Sequence, residues 1–205
     1  MKKDLSQASV SADTALDRLV AGNERFLRGE TGPFRPLRES LIELAQSQQP
    51  YATILGCSDS RVAPELLFDA GLGELFVVRV AGNVLSPEIA GSLQYAGAHL
   101  GTPLFVVLGH EGCGAVSAAL KSRDEGELHH SRIQILVDSI LPGLPDFDLR
   151  LTPEERLAEA VESNVRWTVR QILESPEGRA RISEGHMKVV GAVYDIESGR
   201  VRFLT

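Results

Sequence analysis

The chain is predicted to be an α/β protein: a mostly parallel central β-sheet flanked by helices, with an N-terminal helical arm and a C-terminal β-hairpin. Three observations carry this expectation. The runs 51–56, 75–80 and 104–108 are short, apolar and rich in β-branched residues, as in strands covered on both faces. Helical patterns separate them, which is the order of a βαβ unit. The chain closes on two strand-like runs, 188–194 and one from Val201, joined by a turn at Ser198 and Gly199.

Each element has its own signature. Ala15, Leu16, Leu19, Val20, Phe26 and Leu27 recur at helical spacing, and Gly29 stands where such a helix would stop. A second apolar-periodic stretch, Leu37 to Ala45, is broken by Pro50, and the strand after it ends at Cys57. Ser86, Pro87 and Glu88 supply an N-cap, a first-turn proline and a first-turn acid for a helix running to about His99. A small-residue helix from Gly114 to Leu120 leads into a polar loop containing Asp124, Glu125, Gly126 and Glu127, and another helix starts near Arg132. Thr152, Pro153 and Glu155 form a capping-box start for a long helix reaching Leu173, and Ser175 with Pro176 begins a shorter one.

Composition narrows the function. With 205 residues, one domain is expected over 1–205, divided into a helical arm (1–45) and an α/β core (50–205). The formal charge of -7, with basic residues scattered among acidic ones, works against nucleic acid or an anionic membrane as partner. No apolar run approaches the ~20 residues needed to cross a bilayer. Asp4, Ser6 and Gln7 stand where a signal peptide would carry its apolar stretch, so a cytoplasmic protein is expected.

The chemistry concentrates at two predicted strand ends, where open α/β sheets gather ligands. His110-Glu111-Gly112-Cys113 places an imidazole and a thiol three residues apart in a turn, and Cys57 can supply a third ligand. Zinc accepts thiolate and imidazole, and a catalytic site keeps three protein ligands with a fourth position open. An H-x-x-C pair alone also arises by accident, and two cysteines alone permit a disulfide or inert thiols. The flanks of Cys57 are more specific. Asp59 and Arg61 bring a carboxylate and a guanidinium within five residues of a thiol at a strand end, where alternate positions share a face.

The blocks C-S-D-S-R-V from Cys57 and G-H-x-x-C-G-A around His110 and Cys113 resemble the β-class carbonic anhydrases. The similarity extends over about 48–120, including the run 73–79 and Ala81-Gly82-Asn83, and weakly through 190–199. The resemblance implies one zinc ion per chain on Cys57, His110 and Cys113, with water or hydroxide in the fourth position attacking carbon dioxide to give bicarbonate. It assigns Asp59 to orient that nucleophile, or to close the metal when its pairing with Arg61 is lost. It also implies substrate contacts from Gln48, Phe76 and Tyr95. Family members that store bicarbonate at an inhibitory site carry tryptophan three residues before the first cysteine, and here that residue is Ile54.

Family assembly as dimers or tetramers, with the cleft partly built by a neighbour, implies a homodimer or homotetramer. Two thiolates cancel the charge of a zinc dication, so a polar group nearby is expected to assist it. Hydrolysis of carbon disulfide or carbonyl sulfide on the same site, and a noncatalytic zinc fold, are the alternative readings.

Overall fold

The computed structural model describes residues 10–32, 41–42, 44–148 and 150–204. Five strands form one sheet in the order β2-β1-β3-β4-β5: β1 (Ala52–Gly56), β2 (Leu75–Arg79), β3 (Leu104–His110), β4 (Lys188–Tyr194) and β5 (Val201–Leu204). The first four are parallel, and β5 runs antiparallel to β4 as the expected terminal hairpin. Every residue of β1 and β3 is buried, which is why those runs carry no polar face.

Side chains alternate between two cores, as the period of a strand requires. Leu55, Cys57, Phe105 and Val107 face one layer. Ile54, Leu104, Val106 and Leu108 face the other. The first layer is built by α3 (Pro87–Tyr95, prolonged by a π-helical turn Ala96–Leu100), α4 (Gly114–Glu125), α5 (Ile133–Ile140) and α6 (Pro153–Glu174). Helix α6 begins with the predicted capping box of Thr152 and Glu155, and α7 (Pro176–Ser183) is capped by Ser175. Opposite lie α1 (Ala12–Arg28) and the four-residue α2 (Pro64–Leu67), a turn that the sequence patterns did not reveal.

Differences from the expected boundaries have identifiable causes. Strand β3 continues to His110, so this residue closes the strand rather than following it. Helix α4 includes Asp124 and Glu125 and stops at Gly126, because Asp124 accepts from Arg123 at 2.9 Å and from Arg156 of α6 at 3.1 Å. Helix α1 spans the residues whose spacing predicted it and stops at Gly29, with Ala15 and Leu19 buried and Val20 exposed because only one helical face meets the sheet. Most of the predicted stretch 37–45 lies outside the described residues. Among the described residues, no helix is long and apolar enough to cross a membrane.

Asn23 ties α1 to the sheet. Its buried amide donates to Leu67 O at 3.1 Å and to Gly199 O at 3.0 Å, and its oxygen accepts from Val201 N at 2.9 Å. One side chain thus joins α1, the end of α2 and the terminal hairpin. Removing it strands three backbone groups, so Asn23→Ala is expected to lower unfolding free energy by about 2–4 kcal/mol. Urea denaturation would measure this, and a loss within error of zero would refute the pinning role.

Candidate metal centre

Strands β1 and β3 are neighbours with Gly56 opposite Leu108, so their carboxyl ends emerge side by side. Cys57 leaves β1 one residue later on the face of Leu55, and His110 closes β3 two residues later. Gly112 adopts φ 64, a left-handed conformation that turns the chain sharply enough to bring Cys113 back beside His110. Cys113 then caps the N-terminus of α4. Glu111 N donates to Tyr194 O at 2.9 Å, anchoring the turn to β4.

The three predicted ligands converge. Cys57, His110 and Cys113 are all buried, and one ligand atom from each lies within 4.8 Å of the others. The sulfurs are 4.0 Å apart and both cysteines are free. A disulfide needs about 2.05 Å, whereas two thiolates on one tetrahedral zinc, at bonds of about 2.3 Å, stand about 3.8 Å apart. His110 Nδ1 lies 2.9 Å from Glu111 O. With the ring proton on Nδ1, Nε2 carries the lone pair, and that atom is buried without a hydrogen-bond partner. Two sulfurs and an orphaned imidazole nitrogen fit the donor set that zinc takes.

The electrostatics favour negative sulfur. The Cys57 thiol is pulled down chiefly by its contact with Cys113, against the opposing effect of burial, with the neighbouring His110 ring and the backbone N–H groups of Gly82 and Asp59 acting in the same direction. Cys113 is pushed up correspondingly as the donor to Cys57 and by burial, with N–H groups of Val116 and Ala115 at the start of α4 opposing. Burial pushes His110 down, but contact with the Cys57 thiolate outweighs it and leaves the imidazole raised.

Asp59 and Arg61 form a bidentate pair beside the ligands. Arg61 Nε donates to Asp59 Oδ1 at 2.9 Å, Nη2 to Oδ2 at 2.8 Å, and the Arg61 backbone N–H to Oδ1 at 3.0 Å. The guanidinium hydrogen bonds hold the Asp59 carboxyl well below the usual carboxylate range. Asp59 Oδ2 also lies 3.9 Å from His110 Nε2, so the carboxylate faces the donor cluster.

Two further residues belong to this centre and escaped sequence reasoning. Arg79, at the end of β2, donates through Nε to Cys57 O at 2.9 Å and through Nη2 to Asp59 O at 2.6 Å, clamping the loop that carries both residues. Gly82 donates its N–H to Cys57 Sγ at 3.4 Å. The only signal in the sequence was a charge closing an otherwise apolar strand, followed by Ala81-Gly82-Asn83.

The remaining predicted site residues occupy other positions in the chain. Gln48 is exposed in the segment before β1. Phe76 sits opposite Thr53 in β2, three residues before Arg79 and thus roughly 10 Å along the strand from the ligand loop. Its ring packs on that of Tyr95 at 6.2 Å, and Tyr95, 48% exposed, packs on His99 at 5.1 Å.

With the geometry in view, comparison with known proteins is specific. The family model described as carbonic anhydrase matches residues 52–201. The carbonic anhydrase of Mycolicibacterium smegmatis is 40% identical over 186 residues, covering 89% of this chain and 88% of its own. Carbonic anhydrase 2 of Mycobacterium tuberculosis is 40% identical over 185 residues, covering 89% and 87% respectively. The solved β-carbonic anhydrase CcaA superposes with a TM-score of 0.74 at 27% identity, covering 93% of this chain and 95% of its own. The Coccomyxa β-carbonic anhydrase gives 0.71 at 26% identity, covering 94% and 82%. A match across most of the chain, together with convergence of two cysteines and one histidine at the strand ends, establishes that the chain belongs to the carbonic anhydrase family, in its β class.

Proposed function

We propose that the chain hydrates carbon dioxide reversibly to bicarbonate and a proton on one zinc ion held by Cys57 Sγ, His110 Nε2 and Cys113 Sγ, with Asp59 and Arg61 as its catalytic pair. The observation that carries this reading is the approach of three buried soft or borderline donors to within 4.8 Å of one another beside a carboxylate that is kept ionised. Bound there, zinc supplies the Lewis acidity that makes water a nucleophile near neutral pH.

The chain's own residues divide the remaining work. Asp59 accepts a hydrogen bond from the attacking oxygen and so aims its lone pair at the substrate carbon. Because Arg61 holds the carboxyl far below neutrality, Asp59 serves as an acceptor and not as the base that takes the released proton. Arg61 locks the carboxylate in one plane through its two-point contact. Arg79 fixes the backbone between ligand and carboxylate, so that the two keep their separation. Three ligands beside an ionised side chain suit a catalytic site better than a structural one, which closes with four.

Gln48, Phe76 and Tyr95 are assigned to substrate contact across a subunit boundary, in a homodimer or homotetramer. The exposed ring of Tyr95, packed at a tilt against Phe76 on the strand next to the one that leads to Cys57, supports that assignment.

Cys57→Ser and His110→Ala are expected to lower zinc from about one ion per chain and to abolish hydration, read by elemental analysis and stopped-flow assay; full zinc content in both would contradict the ligand set. Asp59→Asn should retain zinc while kcat falls about 100-fold or more. Unchanged turnover in that variant would remove Asp59 from the mechanism. Light scattering is expected to give at least a dimer, and a fully active monomer would overturn the shared cleft.

A further inference from the structure

Gly82 reaches Cys57 from a turn that ordinary residues disfavour. It adopts φ 70 and the next residue, Asn83, φ 44, so two successive residues lie in the left-handed region. A Cβ on Gly82 would stand 2.8 Å from Ile140 Cδ1 and 3.1 Å from Ala115 Cβ, so a side chain there would have to displace both as well as strain the backbone. This conformation directs the Gly82 N–H at Cys57 Sγ over 3.4 Å.

A residue 82 positions away holds the turn. Asn164 of α6 donates from Nδ2 to Gly82 O at 2.8 Å. The rest of this buried helical face is Ala160, Val161, Val165, Thr168 and Ile172, and Asn164 itself is 1% exposed. Placing an amide there carries a desolvation cost that an apolar residue would avoid, and its Oδ1 finds no partner to offset it. The contact with Gly82 is the one hydrogen bond its side chain makes among the described residues.

We propose that Asn164 is a positioning residue for the reaction, acting through the Gly82 N–H to draw charge from the Cys57 thiolate; the inference rests on the metal reading above. Two thiolates neutralise a zinc dication and blunt its acidity. A hydrogen bond to one sulfur reduces the charge it donates and restores part of that acidity. Asp59 and Arg61 orient the nucleophile, whereas Asn164 and Gly82 tune the ligand, so the two devices are separable.

Cobalt substitution reads the effect directly, because the sulfur-to-cobalt charge-transfer band reports charge on the thiolates. The wild-type chain, Asn164→Leu, Asn164→Ala and Thr168→Val would each be loaded with one cobalt ion and compared at equal occupancy. Thr168 is the control: it lies one turn along the same buried face, and its hydroxyl has no partner and so makes no hydrogen bond to Gly82.

Both Asn164 variants are expected to move the band to longer wavelength, as an unrelieved thiolate gives up its electron more readily. In the zinc forms their hydration rate should fall about 10-fold or more. Thr168→Val should leave the band and the rate unchanged. Cobalt-loaded Asn164 variants with an unmoved band, or an equal shift in Thr168→Val, would overturn this inference alone. A wild-type chain that takes up no cobalt would overturn the metal reading and this inference together.

Discussion

The parallel register of β1 against β3 is the constraint on which the centre depends. Gly56 lies opposite Leu108, so Cys57 and His110 leave the sheet at nearly the same height. Strand side chains alternate between faces, and a slip of one residue would turn Cys57 toward the opposite core and away from His110. The register is itself held by burial: both strands are covered on both faces, so a slip would exchange two packed layers at once. Stability of the sheet and assembly of the donor set are therefore one requirement.

Charge at this sheet end is arranged in layers. The innermost groups are sulfur and imidazole, buried and capable of sharing one cation. Around them stand N–H donors from Gly82 and from the start of α4, which favour negative sulfur without adding a mobile ion. Farther out come Asp59, Arg61 and Arg79, where solvent can reach the guanidinium groups. The sequence distance spanned is large, from Cys57 to Asn164, yet each contact is short and most use backbone atoms that the surrounding elements hold rigid.

Much of the fold was legible because its signals are local. Apolar β-branched runs announced buried strands, and Ser86-Pro87, Thr152-Pro153 and Ser175-Pro176 marked helix starts through capping chemistry that involves only near neighbours. Errors arose where distant partners decide. Asp124 looked like a loop residue, but Arg156 on another helix stabilises the last turn of α4. Helix α2 is a single turn, too short for periodicity to register.

The sequence by itself pointed to the three candidate donors and to the charged pair beside them, because Cys57, Asp59 and Arg61 fall within one short strand-end segment and His110 and Cys113 within another. It also determined the family to which those segments point. The tertiary structure alone decided which outlying groups serve them: that Arg79 grips two carbonyls, that Gly82 presents its N–H to a sulfur, and that Asn164 steadies Gly82 from another helix. The reason is physical. A side chain's chemistry is written in its residue type, whereas the direction of a backbone N–H or carbonyl depends on φ, ψ and packing, which residue identity constrains only weakly.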